Sequence, residues 1–260
     1  RGYRDFYIID ESVKLTENGK GFHILLDIYE GPQYKIRDIS WAGNYIYSDE
    51  ELLQRLNYNS GDVFTENEFN VAISEHVSPL YTDKGYFYFQ INPAYTPIDD
   101  DLLDIHFEIV ENQIVHVRKI NINGNEKTHE NVIRRELRVY PGDIFSRKKL
   151  MDSYRDIFML NFFENVIPDV IPVTDDEIEI QLDVIEKNTG QANLSMGWNG
   201  SYGFTGGGVF EFPNFRGRGQ TVSISYQRGM NSQQYNLSSS SSTTATYQSF
   251  SISFTEPWLF

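Results

Sequence analysis

Hydrophobic positions along the chain follow two different periods. Through residues 1–188, short alternating runs are interleaved with segments in which apolar residues fall three or four apart, the spacing of one helix face. Ile36, Ile39 and Trp41 predict a short strand, ended by the turn pair Gly43-Asn44. Ser48-Asp49-Glu50-Glu51 has the form of a capping box, in which hydroxyl and carboxylate satisfy helix-start amides; Leu52, Leu53 and Leu56 follow at helical spacing. Asn59-Ser60-Gly61-Asp62 breaks that helix. Thr65-Glu66-Asn67-Glu68 predicts a second box, with Phe69, Ile73 and Val77 as the buried stripe. Two strands are expected next, over residues 86–91 and 102–111, with a polar turn at 97–101 between them. The order is β-α-α-β-β.

That order occurs twice. Ile36-Arg37-Asp38-Ile39-Ser40-Trp41-Ala42-Gly43-Asn44 lines up with Val117-Arg118-Lys119-Ile120-Asn121-Ile122-Asn123-Gly124-Asn125 at an offset of 81. The same offset superposes Gly61-Asp62-Val63-Phe64 on Gly142-Asp143-Ile144-Phe145, and Phe69 on Leu150. Asp27, Ile28 and Glu30 fall on Glu108, Ile109 and Glu111. Three blocks in one register mark a repeat architecture. The chain is therefore read as the tail of one module (1–33), two whole modules (34–113 and 114–188) and a different segment (189–260). In the second whole module Thr128 and Ser146 are the expected helix caps, and Leu150, Tyr154 and Ile157 the stripe. Pro93 in one module and Pro168 and Pro172 in the other fall in the second strand. Proline lacks the ladder amide, so that strand is expected at the sheet edge. Such an edge is where another chain can add a strand; Tyr86, Phe87, Tyr88, Phe89, Gln90 and Ile91 are the candidates, unless Phe87 and Phe89 simply pack on the helices.

From Gly190 the period becomes two. Ala192, Leu194, Met196 and Trp198 alternate with polar residues or glycine, as do Val222, Ile224 and Tyr226, and then Phe250, Ile252 and Phe254. Phe204 to Phe212 forms a glycine-rich fourth run, and 231–244 reads as a serine-rich connection. Strands of about ten residues match the length that crosses a bilayer at a tilt. Alternation also fits a soluble β-sandwich. The polar face favours a barrel: it is Ser, Thr, Asn, Gln and Gly, where a solvated face would carry Lys, Glu and Asp. Aromatic residues near the strand ends (Trp198, Tyr202, Phe212, Phe215, Trp258, Phe260) suit an interfacial girdle. Four strands cannot close a barrel, for which ~8 is the small end. The sequence is accordingly expected to be a piece of a longer protein.

Charge divides the chain at the same place. Of 22 basic and 37 acidic residues, only Arg216, Arg218, Arg228, Glu211 and Glu256 lie beyond residue 188, which leaves 19 basic and 35 acidic in the front part. An acidic front argues against nucleic-acid binding, which depends on neutralising phosphates. There is no cysteine, hence no disulfide or thiolate chemistry. His23, His76, His106, His116 and His129 show no metal-ligand spacing, and the acidic runs 99–101 and 175–177 fall at equivalent hairpin turns. No catalytic set, cofactor motif or metal site is legible, so the chain is not expected to be an enzyme.

The repeated β-α-α-β-β units with Gly-Asp-(hydrophobic)-Phe between the helices resemble the POTRA (polypeptide-transport-associated) family. The passage Glu186-Lys187-Asn188-Thr189-Gly190, then Pro213-Asn214-Phe215-Arg216-Gly217-Arg218-Gly219, then Thr255-Glu256-Pro257-Trp258, is similar to the POTRA-to-barrel junction of BamA-like assembly factors. The resemblance implies an α+β fold: tandem POTRA modules in the periplasm, then the first antiparallel strands of an incomplete transmembrane β-barrel in the outer membrane. It implies a non-enzymatic role in assembling and inserting β-barrel proteins. Implied partners are unfolded outer-membrane proteins, accessory outer-membrane lipoproteins of a BAM complex, and the lipid bilayer through residues 189–260. It also implies a lateral gate strand made of Gln191, Ala192, Asn193, Leu194, Ser195, Met196, Gly197, Trp198 and Asn199. A polypeptide-secretion transporter of the same superfamily, or a soluble periplasmic interaction module, stays open as an alternative.

Overall fold

A computed structural model describes residues 2–16, 19–99, 101–199, 203–230 and 246–258, with side chains left undescribed at 199, 203, 230, 246 and 247. The chain forms two compact units, Arg1–His116 with Ile144–Lys148, and Val117–Asp143 with Lys149–Phe260. The first opens with the antiparallel hairpin β1 (Tyr7–Leu15) and β2 (Phe22–Tyr29). Then come β3 (Lys35–Ala42), α1 (Asp49–Leu56), α2 (Glu66–Ala72), a π-helical turn (Ile73–Val77), α3 (Ser78–Thr82), β4 (Gln90–Asp99) and β5 (Leu102–Val110). The sheet order is β3-β5-β4, with β3 parallel and β4 antiparallel to the central β5. The parallel pairing follows from the helical crossover, since two helices carry the chain from β3 back over one face of the sheet.

That face holds the core. Leu52 and Leu56 of α1 and Phe69, Ile73 and Val77 of the second helical run are buried against Ile36, Trp41, Ile105 and Phe107. Trp41 stacks on Phe107 with ring centroids 4.2 Å apart, and Phe69 stacks on the same ring at 5.9 Å. Each large side chain removed from water contributes about 1.5–3 kcal/mol. The turn after β3 needs glycine: Gly43 has φ +81°, and a Cβ there would overlap the Ile109 carbonyl oxygen.

The second module repeats this plan with β6 (His116–Asn123), α4 (Glu130–Arg134), α5 (Arg147–Met159), β7 (Phe163–Pro172) and β8 (Glu177–Glu186), in the order β6-β8-β7. Gly124 has φ +85°, and a Cβ there would overlap the Val184 carbonyl oxygen, matching Gly43. Four strands follow: β9 (Gln191–Asn199), β10 (Gly203–Phe215), β11 (Gln220–Met230) and β12 (Thr246–Thr255). They form an antiparallel meander in the order β12-β11-β10-β9. The serine-rich connection, Tyr202 and Phe260 lie outside the described residues. Among the described residues no helix is long and apolar enough to cross a membrane.

One local expectation holds and others are corrected. Ser48 and Glu51 close their capping box, the Glu51 amide donating to Ser48 Oγ at 3.3 Å and the Ser48 amide to Glu51 Oε2 at 2.9 Å. Thr65 makes no side-chain cap bond, so the second box does not form. The N-cap of α4 is His129, not Thr128, whose hydroxyl is engaged elsewhere. The hairpins of the two modules are related by an offset of 75, beside the 81 of the blocks before them: Pro93 matches Pro168 and Pro97 matches Pro172. Pro97 therefore lies inside β4 rather than in the turn.

Candidate strand-addition edges and the module–sheet junction

Of the six residues expected to offer a strand edge in the first module, only Gln90 and Ile91 are in β4. Tyr86, Phe87, Tyr88 and Phe89 form the turn that leads into it. Aromatic side chains decide this. Phe89 stacks on the buried Tyr81 at 4.1 Å, and Phe87 meets Phe145 edge-on at 5.3 Å. Both rings are committed to packing, which bends the backbone away from an extended path.

Within the three-stranded sheet β4 is an edge, as its prolines predict. Successive strand amides point to opposite sides, so residues four apart point the same way. The β4–β5 register is continuous from Gln90 to Pro97, so the amides missing at Pro93 and Pro97 belong to the outer side. That side keeps its carbonyls and the amides of Ile91 and Tyr95. β7 is built alike, with Pro168 and Pro172 four apart on the other edge strand. These edges accept a partner's hydrogen bonds better than they donate them, the arrangement by which edge strands resist indiscriminate pairing.

β9 differs. It pairs with β10 from Gln191–Glu211 to Asn199–Gly203, is the end strand of its sheet, and contains no proline. All nine expected gate residues lie in it. Register places Ala192, Leu194, Met196 and Trp198 on the same face as Phe204, Phe210, Val222, Ile224, Phe250 and Ile252. That face is open: Leu194 is 81%, Met196 82% and Trp198 72% exposed. The opposite face carries Gln191, Asn193, Ser195, Glu211 and paired serines, with Ser223 and Ser253 hydroxyls 2.8 Å apart and Ser225 and Ser251 2.7 Å apart.

The turn between β10 and β11 is fastened to the module before it. The His129 amide donates to the Gly217 carbonyl at 2.8 Å, and Asn214 Nδ2 donates to Thr128 Oγ1 at 2.8 Å. Gly217 has φ +72°, and a Cβ there would overlap the Lys127 carbonyl oxygen. Arg135 lies over the Trp258 ring at 5.4 Å. The 127–128 loop is held from behind by Glu186, whose carboxylate accepts the Lys127 amide at 2.9 Å and the Thr128 amide at 2.6 Å. Burial pushes the Glu186 carboxyl up, but the bonds from Thr128 and Lys127 outweigh it and hold the group below the usual glutamate value. Glu111 plays the same part in the first module, accepting the Ile46 amide at 3.0 Å. Sequence reading found the Asn214–Gly219 motif but not its receptor, because nothing local pairs residues 86 positions apart. Among the described residues no group of His, Asp or Glu side chains is placed to hold a metal ion.

Comparison with known proteins is consistent across the chain. The POTRA family model, described as surface antigen variable number repeat, matches residues 34–112 and 115–187. A candidate outer membrane protein assembly factor of Treponema pallidum is 31% identical over 220 residues, 81% of this chain and 26% of that protein. The outer membrane protein assembly factor BamA of Nitratidesulfovibrio vulgaris is 27% identical over 228 residues, covering 86% of this chain and 29% of its own length. The chain thus spans about a quarter to a third of such relatives. The crystal structure of Haemophilus ducreyi BamA lacking POTRA domains 1-3 has the same fold over 76% of this chain and 37% of that one, at a TM-score of 0.64 and 24% identity. Haemophilus influenzae BamA POTRA3-5 matches 71% of this chain and 74% of that one, at 0.62 and 22%.

Proposed function

Since the chain belongs to the POTRA family, its two whole modules being the matched repeats, we propose that it is the periplasm-to-membrane part of a BamA-like outer-membrane assembly factor. In this reading the modules stand in the periplasm and receive unfolded outer-membrane proteins and accessory lipoproteins. The strands β9 to β12 begin a barrel whose apolar face meets lipid. β9 is the gate, offering an unbroken row of backbone groups to an incoming strand; β4 and β7 serve as more selective edges. Assembly of this kind needs exposed amides and carbonyls rather than a reacting side chain.

The observation that carries the reading is the two-faced meander. Strands of nine to thirteen residues expose Leu194, Met196, Phe250 and Ile252 on one side and present serine, asparagine and glutamine on the other. Arg228 and Gln248 share the apolar face toward one end of the strands; a water-soluble protein rarely leaves the rest, so broad an apolar surface, open, whereas a bilayer covers it.

The chain contains no cysteine, so a cysteine introduced into it is its one spin-label site once any cysteine elsewhere in the full-length protein has been replaced. Leu194→Cys, Met196→Cys and Ile252→Cys, labelled in the full-length protein in liposomes, are expected to be accessible to oxygen and shielded from a water-soluble nickel chelate. Ser195→Cys and Ser251→Cys are expected to show the reverse. Nickel access at all five positions refutes the membrane placement.

A further inference from the structure

The first compact unit carries a feature that strand addition does not use. Between α1, the π-turn–α3 run and the start of α5 lies an open cleft of about 680 Å³, within the size range of ligand-binding clefts. Arg55, Lys84 and Lys148 line it, with Tyr47, Pro79 and Leu80 as apolar surface. Three cations on one cleft stand out in a chain whose net charge is −15. Among the described residues no carboxylate lies within ion-pair distance of any of the three. Asp83, also in the lining, is already engaged, its Oδ1 accepting the Lys148 amide at 2.7 Å.

The cleft is built rather than incidental. The Tyr47 hydroxyl donates to the Leu80 carbonyl at 2.9 Å, its ring meets Tyr81 edge-on at 5.1 Å, and Lys84 Nζ sits 4.6 Å from its centroid. One wall contains the π-turn Ile73–Val77, where Ser78 closes back on the Ile73 carbonyl through both its amide and its hydroxyl, the latter at 3.0 Å. Such turns cost regular helical bonding and recur at functional sites. Here the turn includes His76, which lines the cleft.

We propose that this cleft binds an acidic segment of a partner polypeptide, its carboxylates paired with Arg55 and Lys148 and its apolar side chains laid against Tyr47 and Pro79. Glu75 in the lining disfavours a dense polyanion such as a phosphate cluster. Carboxylates spaced along a chain fit between the fixed charges. The inference is independent of whether β9 to β12 meet lipid.

The test is fluorescence anisotropy of a dansyl-labelled six-residue peptide of alternating glutamate and alanine, with the full chain in non-ionic detergent. Its glutamine counterpart serves as control. The glutamate peptide is expected to bind at least tenfold more tightly than the glutamine one. R55E/K148E is expected to weaken binding at least tenfold, the milder R55Q/K148Q at least threefold, and K119E, a charge reversal outside the cleft lining, less than twofold. Circular dichroism reports whether each variant is folded. Equal binding of the two peptides, or equal loss in K119E, overturns the proposal. So does displacement of the peptide by 10 mM inorganic phosphate, which points to a small-anion site, or by phosphatidylglycerol vesicles, which points to a lipid headgroup.

Discussion

Replacing Gly217 by alanine adds one carbon to the junction, at a place where the surrounding atoms are backbone. A residue with a Cβ in the left-handed region costs about 1–2 kcal/mol, and Gly217 has φ +72°. Gly142, in the same unit, has φ +92° with nothing within 4 Å of an added methyl, so Gly142→Ala reports the backbone term alone. At Gly217 the added carbon would also overlap the Lys127 carbonyl oxygen and lie 3.3 Å from Thr128 Cα. Neither atom is a side-chain tip that can swing aside. The turn must withdraw, giving up the His129-to-Gly217 bond of 2.8 Å and the Asn214-to-Thr128 bond of 2.8 Å. A polar group left without its partner costs about 1–3 kcal/mol. This corresponds to about 5- to 150-fold in an opening equilibrium, beyond whatever Gly142→Ala does. Hydrogen exchange at the His129 amide reads that opening directly. The expected result is faster exchange there in Gly217→Ala and an unchanged rate in Gly142→Ala. Equal rates at His129 in the two variants would refute the account of the junction as a fastened contact.

Three further outcomes follow from the same packing. Phe69→Ala removes a fully buried ring that touches Phe64, Tyr58 and Phe107, and is expected to destabilise the first module by about 3–5 kcal/mol in chemical denaturation; a loss below about 1 kcal/mol contradicts the core assignment. The folded value of Glu186 is depressed, so its stabilisation is present above the ordinary glutamate value of about 4.3 and is lost as pH falls through the lower folded value. Melting curves of wild type and Glu186→Gln are therefore expected to differ at pH 7 and converge toward pH 3, and a gap that widens on acidification contradicts the assignment. Pro93→Thr with Pro97→Val restores two outward amides on β4, and sedimentation is expected to show increased self-association; an unchanged monomer fraction argues that the edge is shielded in some other way.

Much of the fold was legible because it is written in periods. The repeat of Gly43-Asn44 at Gly124-Asn125 marks a turn that only glycine fits, since either Cβ would strike a carbonyl of the last strand. The stripe Phe69, Ile73, Val77 is buried as its spacing predicts. All four strands after Gly190 fall where alternation put them. The failures are tertiary. A run of four aromatics from Tyr86 to Phe89 has high strand propensity, yet the preference of Phe89 for Tyr81 and of Phe87 for Phe145 pulls it into a turn. Thr65 has the right residue type for a cap but makes no cap bond. Thr128 likewise looks like a cap, and its hydroxyl is instead spent on Asn214. The π-turn has a faint mark in the sequence: Phe69, Ile73, Val77 and Tyr81 are all buried and recur every four residues, a longer period than the 3.6 of a regular helix.

The edges now sort into two kinds by one criterion, the number of amides they can donate. β4 and β7 each lack two outward amides, at positions that repeat between the modules. A strand pairing there finds acceptors at every outward position and donors at only some, so affinity must come from side-chain pockets and depends on the partner's sequence. β9 lacks none, and pairing along it is limited by access rather than by sequence. In the proposed role the selective edges would come first along the chain and the permissive edge β9 last. The junction at Gly217 ties the last module to the turn of β10, the strand against which β9 is paired. Any force that moves that module is therefore passed through these contacts to the strand next to the proposed gate.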